Sequence, residues 1–226
     1  GGTIQPLAET QMTPNVHGLF QARQVAESET ARVENPEGIL DGKHGSVVIH
    51  PASEGDVELA YDLGEQNVGY WEFEIEAQEG LVVDIAAVEY ITPEGRVQHT
   101  DRYRNSMRYI CKEGLNRFTS FERRSGRYLF LTFRHQSRPV ILKGLRLIES
   151  TYPVQNIGRF EASDPRLTRI WEISARTLKL CMEDVFTDCP LYEQTLWVGD
   201  ARNEAVFAYT AFGAEDLARR CAKLSA

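Results

Sequence analysis

Four carboxylates and a tryptophan lie close together in the segment Asp188–Glu204, which reads Asp-Cys-Pro-Leu-Tyr-Glu-Gln-Thr-Leu-Trp-Val-Gly-Asp-Ala-Arg-Asn-Glu. Carboxylates bind hydroxyl groups and move protons, and an indole face packs on the apolar face of a pyranose. The segment lies between two helical patterns, so we expect much of it to be an ordered loop. These side chains indicate a sugar site formed by Asp188, Glu193, Trp197 and Asp200.

Each residue of this acidic loop also has a purely structural interpretation. Asp200 precedes Ala-Arg-Asn-Glu-Ala, so it could act only as the N-cap of the next helix. Trp197 could lie in the core beneath the loop, and Pro190 could simply end a turn. The combination favours function, because a loop that gathers acids around an aromatic side chain is poorly suited to a core.

The pattern Asp-Cys-Pro-x-x-Glu-x-x-x-Trp-x-Gly-Asp, at residues 188–200, resembles the signature of the α-L-rhamnosidases of glycoside hydrolase family 78. The family usually has arginines on both sides of the glutamate, and this sequence has Tyr192 and Gln194 there. Two further stretches resemble the concanavalin-like domain that precedes the catalytic domain in the family. They are Asp62–Tyr70, which reads Asp-Leu-Gly-Glu-Gln-Asn-Val-Gly-Tyr, and Gly126–Phe130, which reads Gly-Arg-Tyr-Leu-Phe.

The resemblance implies roles for the loop residues in an inverting hydrolysis that releases L-rhamnose. Glu193 takes the place of the general acid, Asp188 and Asp200 those of acids that bind the sugar, and Trp197 that of a sugar-packing aromatic. Elementary chemistry agrees in part, because glycosidic cleavage generally needs two carboxyl groups. Neighbouring like charges also raise the pKa of one carboxyl, which suits a general acid. The residues alone do not select which of the three acids has that role.

Composition narrows the class of protein. The 226 residues are 42% hydrophobic and 26% charged, as in an ordinary soluble globular protein. The formal net charge of −8, without a basic block, argues against nucleic acid as a partner. No apolar run approaches the length of a membrane span. The four cysteines and scattered histidines lack metal-ligand spacing, so we expect neither a metal nor a cofactor, and free buried thiols.

Residues 56–150 show the alternation of antiparallel strands. Trp71, Phe73 and Ile75 alternate with three glutamates, so one face is expected to be buried and Trp71 to lie in the core. Further strands follow at short spacing without an intervening helix, which predicts a β-sandwich. Residues 1–55 read as lead-in strands and loops, with residues 47–49 as the best strand.

Residues 151–226 change to helical periodicity. Ser163-Asp164-Pro165 predicts the start of a helix of five or six turns, with Leu167, Ile170, Trp171, Leu178, Met182 and Val185 on its apolar stripe. A second helix is expected from about Asp200, with Ala205, Val206, Tyr209 and Phe212 buried, and Gly213 at its end. A third is expected at residues 214–224. The predicted fold is therefore α+β and multidomain, an antiparallel sandwich followed by the first helices of an (α/α)6 toroid.

A toroid of this kind needs about twelve helices, so we interpret the chain, which begins Gly-Gly-Thr without a signal-peptide pattern, as part of a longer protein. In the family the general base comes from far downstream, so this chain alone is expected to be inactive. Helices without their partners leave an apolar face around Trp171 and Phe212, which favours association between copies or partial disorder.

Two alternatives to a rhamnosidase acting on rhamnose-containing glycosides or polysaccharides stay open. One is a non-catalytic carbohydrate-binding sandwich, for which Tyr70, Trp71 and Tyr90 would be candidate contacts. The other is a different glycoside hydrolase on the same toroid, which the missing arginines keep open. The sequence predicts no compartment.

Overall fold

The computed structural model describes residues 3–5, 32–39, 45–93 and 105–226. They fall into two compact units, residues 1–148 and residues 149–226. Most of the predicted lead-in segment lies outside the described residues. Among the described helices, none has the length and apolar character that crossing a bilayer requires.

The first unit is built on antiparallel strands. Their bounds are β1 Thr3–Gln5, β2 Val33–Glu34, β3 Val47–Ile49, β4 Val57–Ala77, β5 Val82–Val88, β6 Ser106–Ile110, β7 Gly114–Thr119, β8 Arg124–Arg134 and β9 Val140–Glu149. Their order is β1-β6-β5-β8-β4-β9-β3-β2, and β7 also pairs with β4. The predicted antiparallel architecture is confirmed.

Strand β4 pairs with different strands along its length. Its first part, Val57–Gly69, pairs with β8, and its last part, Glu72–Ala77, pairs with β7. Strand β4 continues through residues 62–67 with a shift of register between Asp62 and Asn67. Gly64 allows this irregularity, because its φ is +81° and its backbone N–H donates to Asp62 Oδ1 at 2.8 Å.

The alternating side chains of β4 form the centre of the core. Trp71 is 2% exposed and packs in one cluster with Phe73, Ile75 and residues of β3, β5, β8 and β9. The prediction that Trp71 is a core residue is confirmed, and it therefore offers no aromatic surface for a sugar. Burying these large side chains supplies the main driving force for packing the strands around this core.

A close backbone approach explains one glycine of the Asp62–Tyr70 motif. A Cβ atom on Gly69 would lie 2.0 Å from the carbonyl oxygen of Ile148, which is a clash. Strands β4 and β9 are neighbours in the sheet, and any side chain at position 69 would push them apart at this point.

The second unit contains three helices, α1 Pro165–Leu180, α2 Val198–Ala211 and α3 Glu215–Leu224. Asp164 caps α1 by accepting a hydrogen bond from Arg166 N at 3.0 Å, as its position before Pro165 predicts. The helix is shorter than expected and ends at Leu180, because Thr187 returns to donate its backbone N–H to Cys181 O at 2.8 Å. Met182, predicted on the helical stripe, instead pairs with Phe186 in an isolated β-bridge.

The buried side of α2 differs from the prediction. Ala201, Ala208 and Ala211 face the core, whereas Val206 and Tyr209 are exposed. Small side chains on the inner face allow close packing against the neighbouring elements, and the connector illustrates this. Gly158 N donates to Ala211 O at 3.0 Å, and a Cβ atom on Gly158 would lie 2.3 Å from Thr210 O.

An apolar groove runs between α1 and α2. Its volume is 460 Å³, and its lining includes Leu167, Ile170, Trp171, Val206 and Phe207. Phe212, predicted on the buried side of the second helix, is buried in the helical core. The apolar face predicted around Trp171 is present as this groove, and Phe212 is not part of its lining.

A buried carboxylate couples three strands of the first unit. Asp84 on β5 is 4% exposed and accepts two hydrogen bonds from Arg108 on β6, at 2.7 and 2.8 Å. Arg134 on β8 donates to the same carboxylate at 3.2 Å and to Asp56 at 3.0 Å. Both guanidinium groups are themselves largely buried, so they depend on Asp84 for charge compensation.

We expect Asp84→Asn to lower the free energy of unfolding by about 3 kcal/mol, because it leaves two largely buried cations with incomplete compensation. The matched control is Asp62→Asn, which removes an aspartate that binds Arg127 in the same two-pronged way at 2.8 Å but in solvent. That change should have a much smaller effect. Urea unfolding followed by circular dichroism measures both, and equal losses would contradict the assignment.

Candidate active site

The acidic loop is anchored in the core of the helical unit. Phe186 and Met182 are completely buried, and Phe186 N contacts Cys221 Sγ of α3 at 3.2 Å. Thr187 is also buried, and its hydroxyl donates to Cys181 O at 3.1 Å. The chain therefore leaves the core at a fixed point, immediately before Asp188.

Asp188 closes the loop on itself. Its backbone N–H donates to Thr195 O at 3.1 Å, and its carboxylate Oδ1 accepts from Thr195 N at 2.9 Å. These reciprocal bonds join the two ends of the segment 188–195. Charge-assisted bonds to backbone N–H groups are stronger than neutral ones, so a carboxylate is well suited to hold this loop closed.

Cys189 extends this network to Glu193. Its thiol donates to Asp188 Oδ2 at 2.8 Å, and Glu193 N donates to the same sulfur at 3.2 Å. Burial, together with the hydrogen bond to Asp188, raises the pKa of the Cys189 thiol, which keeps it a donor at neutral pH. The backbone of Glu193 is thus positioned by the residue that follows Asp188.

Glu193 and Trp197 form a pair on the outside of the loop. The indole Nε1–H donates to Glu193 Oε2 at 2.5 Å, and Trp197 is 51% exposed. The interpretation of Trp197 as a core residue is therefore wrong. One carboxylate oxygen of Glu193 is oriented by the indole, and the side chain stays open to solvent and to a ligand.

Asp200 and Glu204 lie one turn apart on α2. The helix begins at Val198 and its N-cap residue is Trp197, so Asp200 is not the N-cap but an acid of the first turn. Glu204 is half-buried, and burial together with the charges of Asp200 and Asp188 raises its pKa to about 8. These couplings bring Asp188, Asp200 and Glu204 into one electrostatic group.

The structure therefore arranges the candidate residues as a Glu193–Trp197 pair and an Asp188–Asp200–Glu204 group, both connected through the closed loop. Sequence reasoning placed Glu204 on the same side as Asp200 but gave it no role. The available signal was the four-residue spacing between them, which puts two side chains on one helix face.

Gln194 and Tyr192 flank Glu193 where the family usually has arginines. Gln194 turns back and donates through Nε2 to Pro190 O at 2.8 Å, and its φ of 52° lies in the left-handed region. Its side chain thus contributes to the turn of the loop. No group of side chains suited to a metal ion occurs among the described residues.

We expect Asp188→Ala to speed native-state exchange of the Thr195 amide hydrogen about fivefold or more, because it removes a hydrogen bond with a net contribution of about 1 kcal/mol. Asp188→Asn is the matched variant, since its amide oxygen can still accept from Thr195 N. Exchange measured by NMR or mass spectrometry should separate the two. Equal protection in both variants would show that the carboxylate does not close the loop.

Comparison with known families covers both units. Residues 53–147 match the bacterial α-L-rhamnosidase concanavalin-like domain. Residues 155–226 match the bacterial α-L-rhamnosidase six-hairpin glycosidase domain. No curated protein sequence matches the chain.

Several solved structures are similar. The GH78 family rhamnosidase of Bacillus sp. GL1 is 48% identical, with a TM-score of 0.74 over 77% of this chain and 18% of that one. The rhamnosidase from Klebsiella oxytoca with rhamnose bound is 24% identical, with a TM-score of 0.58 over 78% of this chain and 34% of that one. The α-L-rhamnosidase from Dictyoglumus thermophilum is 19% identical, with a TM-score of 0.56 over 84% and 20%.

The last two likenesses show the fold alone, and this chain spans between 18% and 34% of the lengths of the three structures. The two matched domain families occur in the order sandwich, then helices, and the 48% identity extends over most of the chain. The chain thus belongs to the bacterial α-L-rhamnosidases of glycoside hydrolase family 78.

Proposed function

We propose that the complete gene product containing this chain hydrolyses terminal α-L-rhamnosides of glycosides or polysaccharides, with inversion and through two carboxyl groups. The observation that carries the proposal is the exposed Glu193 carboxylate, oriented by Trp197 on a loop closed by Asp188. Membership of the rhamnosidase family supports the reaction class, because the relative that is 48% identical to this chain is a rhamnosidase.

In this proposal Glu193 is the general acid. Its side chain is exposed at the tip of the loop, where a carboxyl group can reach a glycosidic oxygen and give it a proton. The hydrogen bond from Trp197 Nε1 goes to Oε2, which leaves Oε1 for the proton that is transferred. An indole held beside the acid would also offer its face to the apolar side of the rhamnose ring.

Asp200 is proposed to bind sugar hydroxyls. It is exposed in the first turn of α2, close enough to Asp188 for both to act on Glu204. A carboxylate has two oxygens that accept hydrogen bonds, so it can bind the hydroxyl groups of a sugar. Asp188 is proposed to share this task. Its two carboxylate oxygens can accept further hydrogen bonds besides those from Thr195 and Cys189.

The general base is proposed to lie outside this chain. Inversion needs a second carboxylate on the opposite face of the sugar, about 6.5–9.5 Å from the acid, to activate water. Asp188, Asp200 and Glu204 all belong to the loop that carries Glu193 or to the helix directly after it. Glu215 and Asp216 occupy the first turn of α3, where acids complement the helix dipole.

We expect the complete gene product to release nitrophenol from an aryl α-L-rhamnoside and not from a panel of other aryl glycosides. Glu193→Gln should lower turnover of a natural rhamnoside about 10²- to 10⁴-fold, because the leaving alcohol then lacks a proton donor. Turnover of the activated aryl rhamnoside should fall less, since that leaving group needs less protonation.

The control for this experiment is Glu215→Gln, which changes the net charge equally at an exposed helix start and should leave both rates unchanged. Cleavage of another sugar without cleavage of rhamnosides would identify a different glycoside hydrolase on the same toroid. Unaltered turnover of the natural rhamnoside by Glu193→Gln would remove Glu193 from the role of acid.

We expect the 226-residue chain, purified alone, to show no rhamnosidase turnover, because the proposed general base lies outside it. The measurement is release of nitrophenol from an aryl rhamnoside, compared with the complete gene product at equal concentration. Activity that Glu193→Gln abolishes in the chain alone would show that the base lies within these residues.

A further inference from the structure

Glu204 has an unusual environment for a carboxylate. Its Oε2 atom is buried and has no hydrogen-bond partner among the residues that the structure describes. A charged oxygen buried in this way is strongly unfavourable, because it loses water without gaining a donor. A protonated carboxyl avoids most of that cost, since the neutral group has a smaller desolvation penalty and can itself donate.

The groups around Glu204 all favour the neutral form. Asp200 lies one turn earlier on α2 and Asp188 lies on the loop, and their charges add to burial in raising the pKa of Glu204 to about 8. The Cys221 thiol of α3 also faces this carboxyl. Burial is the largest cause that raises the pKa of the Cys221 thiol, and the charge of Glu204 raises it further.

Arg220 on α3 binds a different acid. It donates to the backbone oxygen of Asp184 at 2.6 Å and to its carboxylate at 3.0 Å. It acts on the Cys221 thiol and is not among the causes that shift the pKa of Glu204. A proton on Glu204 would neutralise one of the three acids.

We propose that Glu204 is a positioning residue of the rhamnosidase site, which carries a proton at neutral pH and so limits the repulsion that would displace Asp188 and Asp200. This inference rests on the proposed function and deepens it, since it assigns a task to an acid that the reaction itself does not use. Glu204 acts through its neighbours and does not transfer its proton to the substrate.

The proton has a consequence for each neighbour. The Asp188 carboxylate accepts from both Thr195 N and the Cys189 thiol, and these bonds close the loop beneath Glu193. Asp200 is proposed to accept hydrogen bonds from sugar hydroxyls. Ionisation of Glu204 would add a negative charge beside these two acids and push their side chains away from it.

The direct test is an infrared titration of protonated carboxyl groups in the complete gene product. The wild-type protein should show a carboxylic acid band at pH 7 that disappears between pH 7 and pH 9, and Glu204→Gln should lack it. Asp200→Asn removes one of the neighbouring negative charges, so Glu204 should ionise more easily and the band should disappear at a lower pH than in the wild type.

The functional test is binding of L-rhamnose measured by calorimetry at pH 7 and pH 9. The wild type should lose about tenfold in affinity at pH 9, whereas Glu204→Gln, neutral at both values, should bind equally at both. Kinetics on an aryl rhamnoside should show the same change in KM, with kcat less affected. Glu215→Gln is the charge-matched control and should follow the wild type.

The outcomes separate this inference from the proposed function. Absence of L-rhamnose binding at pH 7 would contradict the proposed function, while the infrared band would still report on the proton of Glu204. A wild-type protein without that band, or a Glu204→Gln variant with the wild-type pH dependence of binding, would overturn the role of Glu204. If Glu204→Gln does not fold, the shift of the wild-type band in Asp200→Asn decides, and an unchanged midpoint overturns the proposal.

Discussion

The reciprocal hydrogen bonds between Asp188 and Thr195 are the interaction on which the arrangement of the acidic loop depends. They close a segment whose first end is already fixed by buried residues, Phe186 and Thr187, and whose second end continues directly into α2. Without this closure, Glu193 and Trp197 would lie on a chain tethered only at its two ends. A carboxylate thus has a structural task beside acids that stay open to solvent.

The architecture was accessible from the sequence because it follows from patterning. The alternation in β4 placed Trp71 in the core, and Asp164 with Pro165 marked the start of α1. Helix ends and faces were less accessible, because they depend on partners that periodicity does not reveal. The end of α1 is set by the return of Thr187 to Cys181, and the inner face of α2 by alanines that permit close approach.

The candidate site was predicted by residue type and spacing, and its geometry was not. The acids were evident, but the sequence could not show that an indole hydrogen-bonds to Glu193 or that a thiol bridges Asp188 and Glu193. Glu204 was missed because its environment combines burial with two charges from different segments. Such a combination exists only once the loop has folded onto the helix.

The division of labour within the loop affects how the protein can vary. The bonds that close it use the backbone of residue 195 and the side chains of Asp188 and Cys189, while Tyr192 and Gln194 lie beside Glu193. A substitution at residue 192 or 194 therefore leaves the bonds between Asp188 and Thr195 in place, although a change at 194 removes the side-chain bond to Pro190 O. A loop closed in this way can vary beside Glu193 and still keep its attachment to the helical core.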